Sequence, residues 1–361
     1  MLLRNEGDLL PLSPHSSIAV IGPLADSPRD TLGPWVFDFD LAETVTVLDG
    51  IRAVAGDRVS YAPGIPVGQR AFPSMFDMFG GNAPADPEGF DADASFADAI
   101  HKAETADVAV VVVGEWQNMI GEAASRSSLE LPGRQLELIK AVVATGTPTV
   151  LLVMNGRPLD LRWAAEHVPA ILDIWYPGTQ GGHAVADLLF GVVSPGGKLP
   201  FTWPRTVGQV PMIYSHTISH EPDNQGRRYW DEESTPLFPF GHGLSYGRFV
   251  YRDLIIAEQG GGVTVSVEVT NDSDREADEV VQLYLHQRHG TASRPVRELK
   301  GFERVTVPPR ATQKVTFTVG PEHRTYWNAG VRDWVLDAST FDVWVGGSSA
   351  ASLGGTFEVR E

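Results

Sequence analysis

The residues with the most chemical potential lie in one segment. GEWQNMIGEAASRSSLELP, residues 114–132, follows the β-branched run Val108–Val113 and holds two carboxylates, Glu115 and Glu122, with Trp116 between them and Arg126 beyond. Ligands of open α/β sheets bind beyond the carboxyl ends of the strands, which is where this segment falls. A carboxylic acid set among apolar groups acquires a raised pKa, as a general acid working near neutral pH requires. Trp116 would offer a flat apolar face to a sugar ring. The bland alternative is a surface ion pair between Glu122 and Arg126, four apart, worth under ~1 kcal/mol. The residues alone leave both readings open.

Three other patterns are weaker. Gly243-Leu244-Ser245-Tyr246-Gly247 matches a nucleophile elbow, but that device needs a strand before it and a helix after it. A Pro/Gly-rich stretch precedes this one and a β-rich region follows, so a structural turn is expected. His216 and His220 have the spacing of two metal ligands on a helix, yet HTISH is β-branched and lies between prolines, which favours a solvated loop. Gly178–Gly182 could cradle an anion at a helix start. It lacks the dinucleotide and P-loop spacings, so Thr179 is expected to begin a helix whose glycines allow close helix–sheet packing.

The elements that would position these groups follow two periodicities. Ile18–Ile21, Val108–Val113, Thr149–Met154 and Ala170–Tyr176 read as strands buried on both faces, and Gly133–Thr145 and Gly181–Phe190 as helices. Apolar strands separated by helices imply a mostly parallel sheet with helices on both faces, an α/β sandwich. From Phe249 the period becomes two: Val263, Val265, Val267 and Val269 alternate with polar residues. Further candidates are Val280–Leu285, Leu299–Val307, Gln313–Val319, Asp333–Leu336, Phe341–Val345 and Thr356–Val359. About seven short strands suit an antiparallel all-β sandwich of immunoglobulin or fibronectin type III kind. The expected domains are therefore 1–210, a packed Pro/Gly/aromatic connector at 211–248, and 249–361; Phe72–Pro87 reads as a long loop.

Composition excludes several functions. The chain's 46 Asp and Glu against 28 Lys and Arg give a formal net charge of −18. Residues 1–248 and 249–361 are each acidic, so no nucleic acid and no membrane surface is expected as a partner. The absence of Cys excludes disulfides, thiolate metal sites and cysteine nucleophiles, while remaining compatible with any compartment. No signal-peptide apolar region is read in the first residues.

Several blocks carry a specific resemblance: LLRNEGDLLPL at 2–12, IAVIGPLAD at 18–26, VVGEWQNMIGEAASRSSLELPGRQ at 112–135, VMNGRPL at 153–159, WYPGTQGGHAVADLLFG at 175–191, LFPFGHGLSY at 237–246 and RPVRELKGFERV at 294–305. Their order and content resemble the non-barrel half of glycoside hydrolase family 3 β-glucosidases, close to the bacterial periplasmic type, over essentially the whole chain. The resemblance implies an α/β sandwich followed by a fibronectin type III-like domain, with a preceding (β/α)8-like barrel of ~250 residues missing. It implies hydrolysis of terminal β-linked glucose, from a β-glucoside or oligosaccharide substrate, with retention. An Asp nucleophile would come from the barrel and a Glu acid/base from the sandwich, which maps onto Glu122; Glu115 maps onto a structural, strand-end position.

Trp35, in GPWVFD at 33–38, maps onto a loop near the family's active site and is expected as a sugar-site or domain-interface residue, and Trp116 and Arg126 are the further substrate-binding candidates. The loops at 33–38 and 114–128 should bare Trp35, Trp116 and Met119 to the barrel. No metal or organic cofactor is implied, and the location expected is periplasmic or secreted. The partners expected are the barrel, as domain or separate chain, and a second copy in a homodimer. No Ser/Thr-Asp-Trp nucleophile motif occurs; Arg332-Asp333-Trp334 echoes it inside the β-sandwich, where strand packing would account for the Trp. The chain alone is therefore expected to be inactive, with a non-catalytic carbohydrate-binding or scaffolding remnant as the alternative. A nucleotide-binding domain is a third reading, resting only on the parallel sheet and the Gly-rich turn.

Overall fold

The computed structural model describes residues 1–68, 85–220, 229–259 and 262–360, excluding the side chains of His220 and Gln259. Most of the expected Phe72–Pro87 loop and the side chain of His220 lie outside the described residues. The chain forms two compact units, one of Met1–Val193 with Thr206–Gly208 and one of Ser194–Arg205 with Gln209–Glu361.

The first unit is a six-stranded sheet: β1 (Leu2–Asn5), β2 (Ile18–Ile21), β3 (Val59–Ala62), β4 (Val108–Gly114), β5 (Thr149–Met154) and β6 (Ala170–Asp173), in the order β1-β6-β5-β4-β2-β3. All neighbours are parallel except the edge strand β1, which runs antiparallel to β6. Every residue of β2, β4, β5 and β6 is buried, as continuous apolar runs covered by helices require. The expected Ala170–Tyr176 strand stops at Asp173, whose Oδ1 accepts a bond from Trp175 N–H while Trp175 takes a positive φ of 50° and turns the chain.

The helices are α1 (Pro28–Leu32), α2 (Val47–Ala55), α3 (Ala92–Thr105), α4 (Gln135–Ala144), α5 (Arg162–His167) and α6 (Gly181–Leu189). α2 packs on α6 and α3 on α4. A reciprocal capping box starts α2: Thr46 Oγ1 accepts from Asp49 N–H at 3.1 Å, and Asp49 Oδ2 accepts from Thr46 N–H at 3.2 Å. The Gly-rich turn serves this helix pair. A methyl on Gly182 would lie 1.9 Å from Thr46 O, and one on Gly50 would lie 1.9 Å from Gly182 O. The close packing expected between helix and sheet is thus between helix and helix, and α6 begins at Gly181 rather than Thr179. No helix of the described residues is long and apolar enough to cross a membrane.

The second unit is all-β. Its strands are β7 (Phe249–Gln259), β8 (Gly262–Asn271), β9 (Ala277–Gln287), β10 (Glu298–Val307), β11 (Thr312–Val319), β12 (Tyr326–Asn328), β13 (Asp333–Val335), β14 (Ser339–Gly346) and β15 (Leu353–Val359). Antiparallel sheets β10-β9-β14-β15 and β11-β8-β7 enclose a core in which Val263, Val265, Val267 and Val269 join Val281, Leu283, Leu285, Phe341 and Val343. The alternation read from the sequence is this inward face. The aromatic connector packs within this unit: its Phe238 O accepts from the backbone N–H of buried Trp203 at 2.9 Å, and its Leu237 N–H bonds Trp203 O at 2.9 Å, Trp203 itself preceding the connector but belonging to the same unit.

The elbow-like Gly243–Gly247 is a turn in which Ser245 Oγ accepts from Gly247 N–H at 2.9 Å, and a strand follows it. His216 Nδ1 contacts Thr217 O, and Ile218–His220 is a single 3-10 turn. The strand packing expected for Trp334 is with one strand only: it pairs with Trp327 across the separate β12-β13 hairpin, edge-on with centroids 5.9 Å apart, and is 64% exposed rather than covered by the two large sheets. A short two-stranded ribbon has no second sheet to cover such a side chain.

The α2–α6 contact generates a direct test. Gly182→Ala should lower the unfolding free energy of the chain by about 3 kcal/mol in a denaturant titration, the upper range for overpacking, since backbone must move. Gly208→Ala, whose added methyl meets only Thr206 Oγ1 at 3.6 Å, should change it little. Equal effects would show that the two helices are not locked together by these glycines.

Candidate active site

The sheet order places the site. β2 pairs with β3 on one side and β4 on the other, and the chain continues outward from β4 to β5 and β6. The loops leaving β2 and β4 therefore diverge at a topological switch point, where open α/β sheets present a crevice. The first of these loops carries Trp35 and the second carries residues 115–130.

Glu115 is the anchor of the second loop. Its side chain has no exposure, its N–H donates to Met154 O at 2.8 Å, and its carbonyl accepts from Tyr176 Oη at 2.9 Å. Oε1 accepts from Arg126 Nη1 at 3.0 Å and lies 3.2 Å from Arg157 Nε. Burial pushes this carboxyl above its ordinary range, while the charges of Arg157 and Arg126 pull it back. Each arginine also bonds loop backbone: Arg126 Nη2 donates to Glu130 O at 2.7 Å, and Arg157 Nη2 to Met119 O at 2.9 Å and Ala124 O at 2.8 Å. Asp30, buried in the middle of the first loop's helix α1, accepts from Gln117 N–H at 2.7 Å and ties the two loops together. Burial raises the Asp30 carboxyl, and its bonds from Ser27 and Gln117 counter that.

Glu122 stands at the exposed outer turn of this loop, between Gly121 with φ 103° and Ala123 with φ 56°. A methyl on Gly121 would lie 3.4 Å from Trp35 Cζ2 and 3.6 Å from Pro34 Cβ, so the indole flanks the segment that carries Glu122. Trp35 is 56% exposed and meets Phe37 edge-on at 6.3 Å. An exposed carboxylate residue thus directly follows a glycine that packs against a flat apolar ring at the surface.

Three expectations need correction. Trp116 is 1% exposed, and a methyl on Gly68 would fall 2.3 Å from its Cζ3, so its ring is part of the core beneath the loop and offers no face to a sugar. Of the three side chains expected to be bare, only Trp35 is exposed; Met119 is half-buried. Arg126 pairs with Glu115 rather than with Glu122, because the fully desolvated carboxylate is the stronger attraction. Sequence reasoning missed Arg157, Asp30 and Tyr176. Arg157 stands just past the end of β5, a position that could have flagged it; Asp30 and Tyr176 reach the site only through tertiary contacts. Among the described residues no cluster of three His, Asp or Glu is arranged to hold a metal.

Comparison with known proteins matches this architecture. Residues 1–246 match the glycosyl hydrolase family 3 C-terminal domain and residues 279–349 the fibronectin type III-like domain. The chain is 41% identical over 372 residues to a periplasmic beta-glucosidase of Salmonella typhimurium, covering 99% of this chain and 48% of that protein. It is 38% identical to a beta-xylosidase of Formosa agariphila, covering 97% of this chain and 47% of that one. Among solved structures, a beta-glucosidase from Listeria innocua in complex with isofagomine superposes with a TM-score of 0.85 at 33% identity, covering 99% of this chain and 48% of that chain. The chain spans about half the length of the curated relatives it matches. It belongs to glycoside hydrolase family 3, of which it carries the C-terminal α/β domain and the fibronectin type III-like domain.

Proposed function

We propose that this chain is the acid/base-carrying half of a retaining β-glucosidase acting on terminal β-linked glucose, with Glu122 as the acid/base. The observation that carries the proposal is the placement of Glu122 at an exposed turn beside Trp35, over the Glu115–arginine anchor and at the switch point of the sheet. A barrel, supplied as another domain or chain, would bring an Asp nucleophile about 5–5.5 Å from the Glu122 carboxyl. That Asp attacks the anomeric carbon while Glu122 protonates the departing oxygen. Glu122 then removes a proton from the water that releases the sugar, so the configuration is inverted twice and retained overall. Trp35 stacks against the sugar or the barrel wall. The exposure of Glu122 in this chain fits half a site, whose water-excluding wall arrives with the nucleophile. Resemblance to a periplasmic relative supports a periplasmic or secreted location.

The match to a beta-xylosidase supports a second reading of the sugar, a β-xyloside. Paired aryl β-glucoside and β-xyloside assays on the completed enzyme decide between them, since a xyloside lacks only the C6 hydroxymethyl group.

The purified chain by itself should unfold cooperatively and turn over neither aryl glycoside; turnover by this chain alone would refute the half-site. Once a barrel half is supplied, Glu122→Ala should reduce hydrolysis of substrates with poor leaving groups by about 10²–10⁴-fold. An activated aryl glucoside should still glycosylate the enzyme, and azide should restore its turnover as a β-glycosyl azide. Loss of activity without leaving-group dependence or azide rescue would remove Glu122 from the role. Glu115→Ala should behave differently. It strips two guanidiniums of their buried partner, so it should cost about 3–5 kcal/mol of stability and show no azide rescue; stability equal to the unsubstituted chain would contradict the anchor.

A further inference from the structure

We propose that Arg157 is a positioning residue for Glu122: its guanidinium, seated against the buried Glu115 carboxylate, fastens the carbonyls of Met119 and Ala124 and so closes the turn that carries Glu122. The inference rests on the reading of Glu122 as the acid/base.

Three observations converge on it. One nitrogen, Arg157 Nη2, reaches both Met119 O at 2.9 Å and Ala124 O at 2.8 Å, which draws together two carbonyls on either side of Ile120–Ala123. The other side of the same guanidinium faces Glu115, whose own backbone is bonded to Met154 and Tyr176, so the clamp is referred to the sheet and not to another loop. The clamped turn also rests on the segment that presents Arg157. A methyl on Gly156 would lie 2.5 Å from Ile120 Cδ1, and Asn155 Nδ2 donates to Arg157 O at 2.7 Å.

The turn needs such fastening. Gly121 and Ala123 both have positive φ on either side of Glu122, and for Ala that conformation persists only where surrounding structure over-determines it. The planar fork of Arg can serve a carboxylate and two carbonyls at once, whereas a Lys ammonium is a single point on a flexible stem. Arg126 shares the Glu115 carboxylate but bonds Glu130, downstream of the turn, and leaves 120–123 to Arg157.

Two measurements test the clamp separately from the chemistry. Backbone order parameters for Gly121–Ala123 should be those of rigid structure, about 0.85, in the unsubstituted chain and fall below about 0.6 in Arg157→Lys. Unchanged values in the variant would overturn the clamp, whatever Glu122 does. Should Arg157→Lys fail to fold, the unsubstituted chain still decides: the Arg157 guanidinium protons should give distinct, slowly exchanging resonances, and rapid averaging would overturn the clamp.

In the enzyme completed with its barrel half, a misplacement of about 1 Å should cost up to about 10²-fold. Arg157→Lys should then depress turnover of a poor-leaving-group glucoside about 10–100-fold and largely spare glycosylation by a dinitrophenyl glucoside. Equal losses on both substrates, where Glu122→Ala is selective, would reduce Arg157 to a stability role and overturn the inference. If Glu122→Ala itself shows no selectivity, the acid/base reading fails, and with it the catalytic purpose of the clamp, while the order parameters still report whether the clamp exists.

Discussion

A carboxylate stripped of water is tolerated only when opposite charge and hydrogen bonds replace the solvent it has lost. Glu115 is such a group, completely buried at the end of the central strand β4, and the arrangement of the surrounding loops follows from the need to satisfy it. Two arginines answer it from different directions, one later in its own loop and one beyond the neighbouring strand β5. Each then has guanidinium nitrogens left over, and these find backbone carbonyls in the loop that carries Glu122. An irregular segment with few hydrogen bonds of its own is thus held in one shape by a charge pair beneath it. Asp30, bonding Gln117 N–H, extends the same logic to the loop that bears Trp35.

The rest of the α/β unit supplies a fixed frame for that charge pair. β4 and β5 are buried along their whole length, and their parallel register from Ala109↔Thr149 to Gly114↔Met154 sets where Glu115 and Arg157 emerge. Tyr176, past the end of β6, holds the Glu115 carbonyl from a third strand end. Close helix contact through Gly50 and Gly182 keeps α2 and α6 packed as one layer of the same unit. The chemistry proposed for Glu122 then needs from this chain only a carboxyl in a defined place and an aromatic neighbour, since the same proposal assigns the nucleophile to a barrel outside these residues.

Much of this was readable from residue types and spacing. Continuous β-branched runs marked the buried parallel strands, period-two alternation marked the sandwich core, and the absence of Cys removed whole classes of chemistry, because these are local or compositional properties. The segment 114–132 could be singled out, and the resemblance directed attention to Glu122. β1 and β3 gave no comparable signal: each is only four residues long and stands at an edge, so its assignment depends on a partner strand. Which carboxylate is buried, and which arginine answers it, was equally hidden. Glu122 and Arg126 have the spacing of a helical pair, but the segment is not a helix, and Arg126 turns to Glu115 eleven residues away. Trp116 looked like a surface for sugar and proved to be core, while the strand packing expected for Trp334 proved to be an exposed cross-strand contact with Trp327. The sequence by itself determined the layers, the periodicities and the segment that bears the proposed acid/base; the tertiary structure alone decided burial and charge pairing within that segment, because both depend on residues such as Asp30, Arg157 and Tyr176 that are distant along the chain and meet only once the strands are in register.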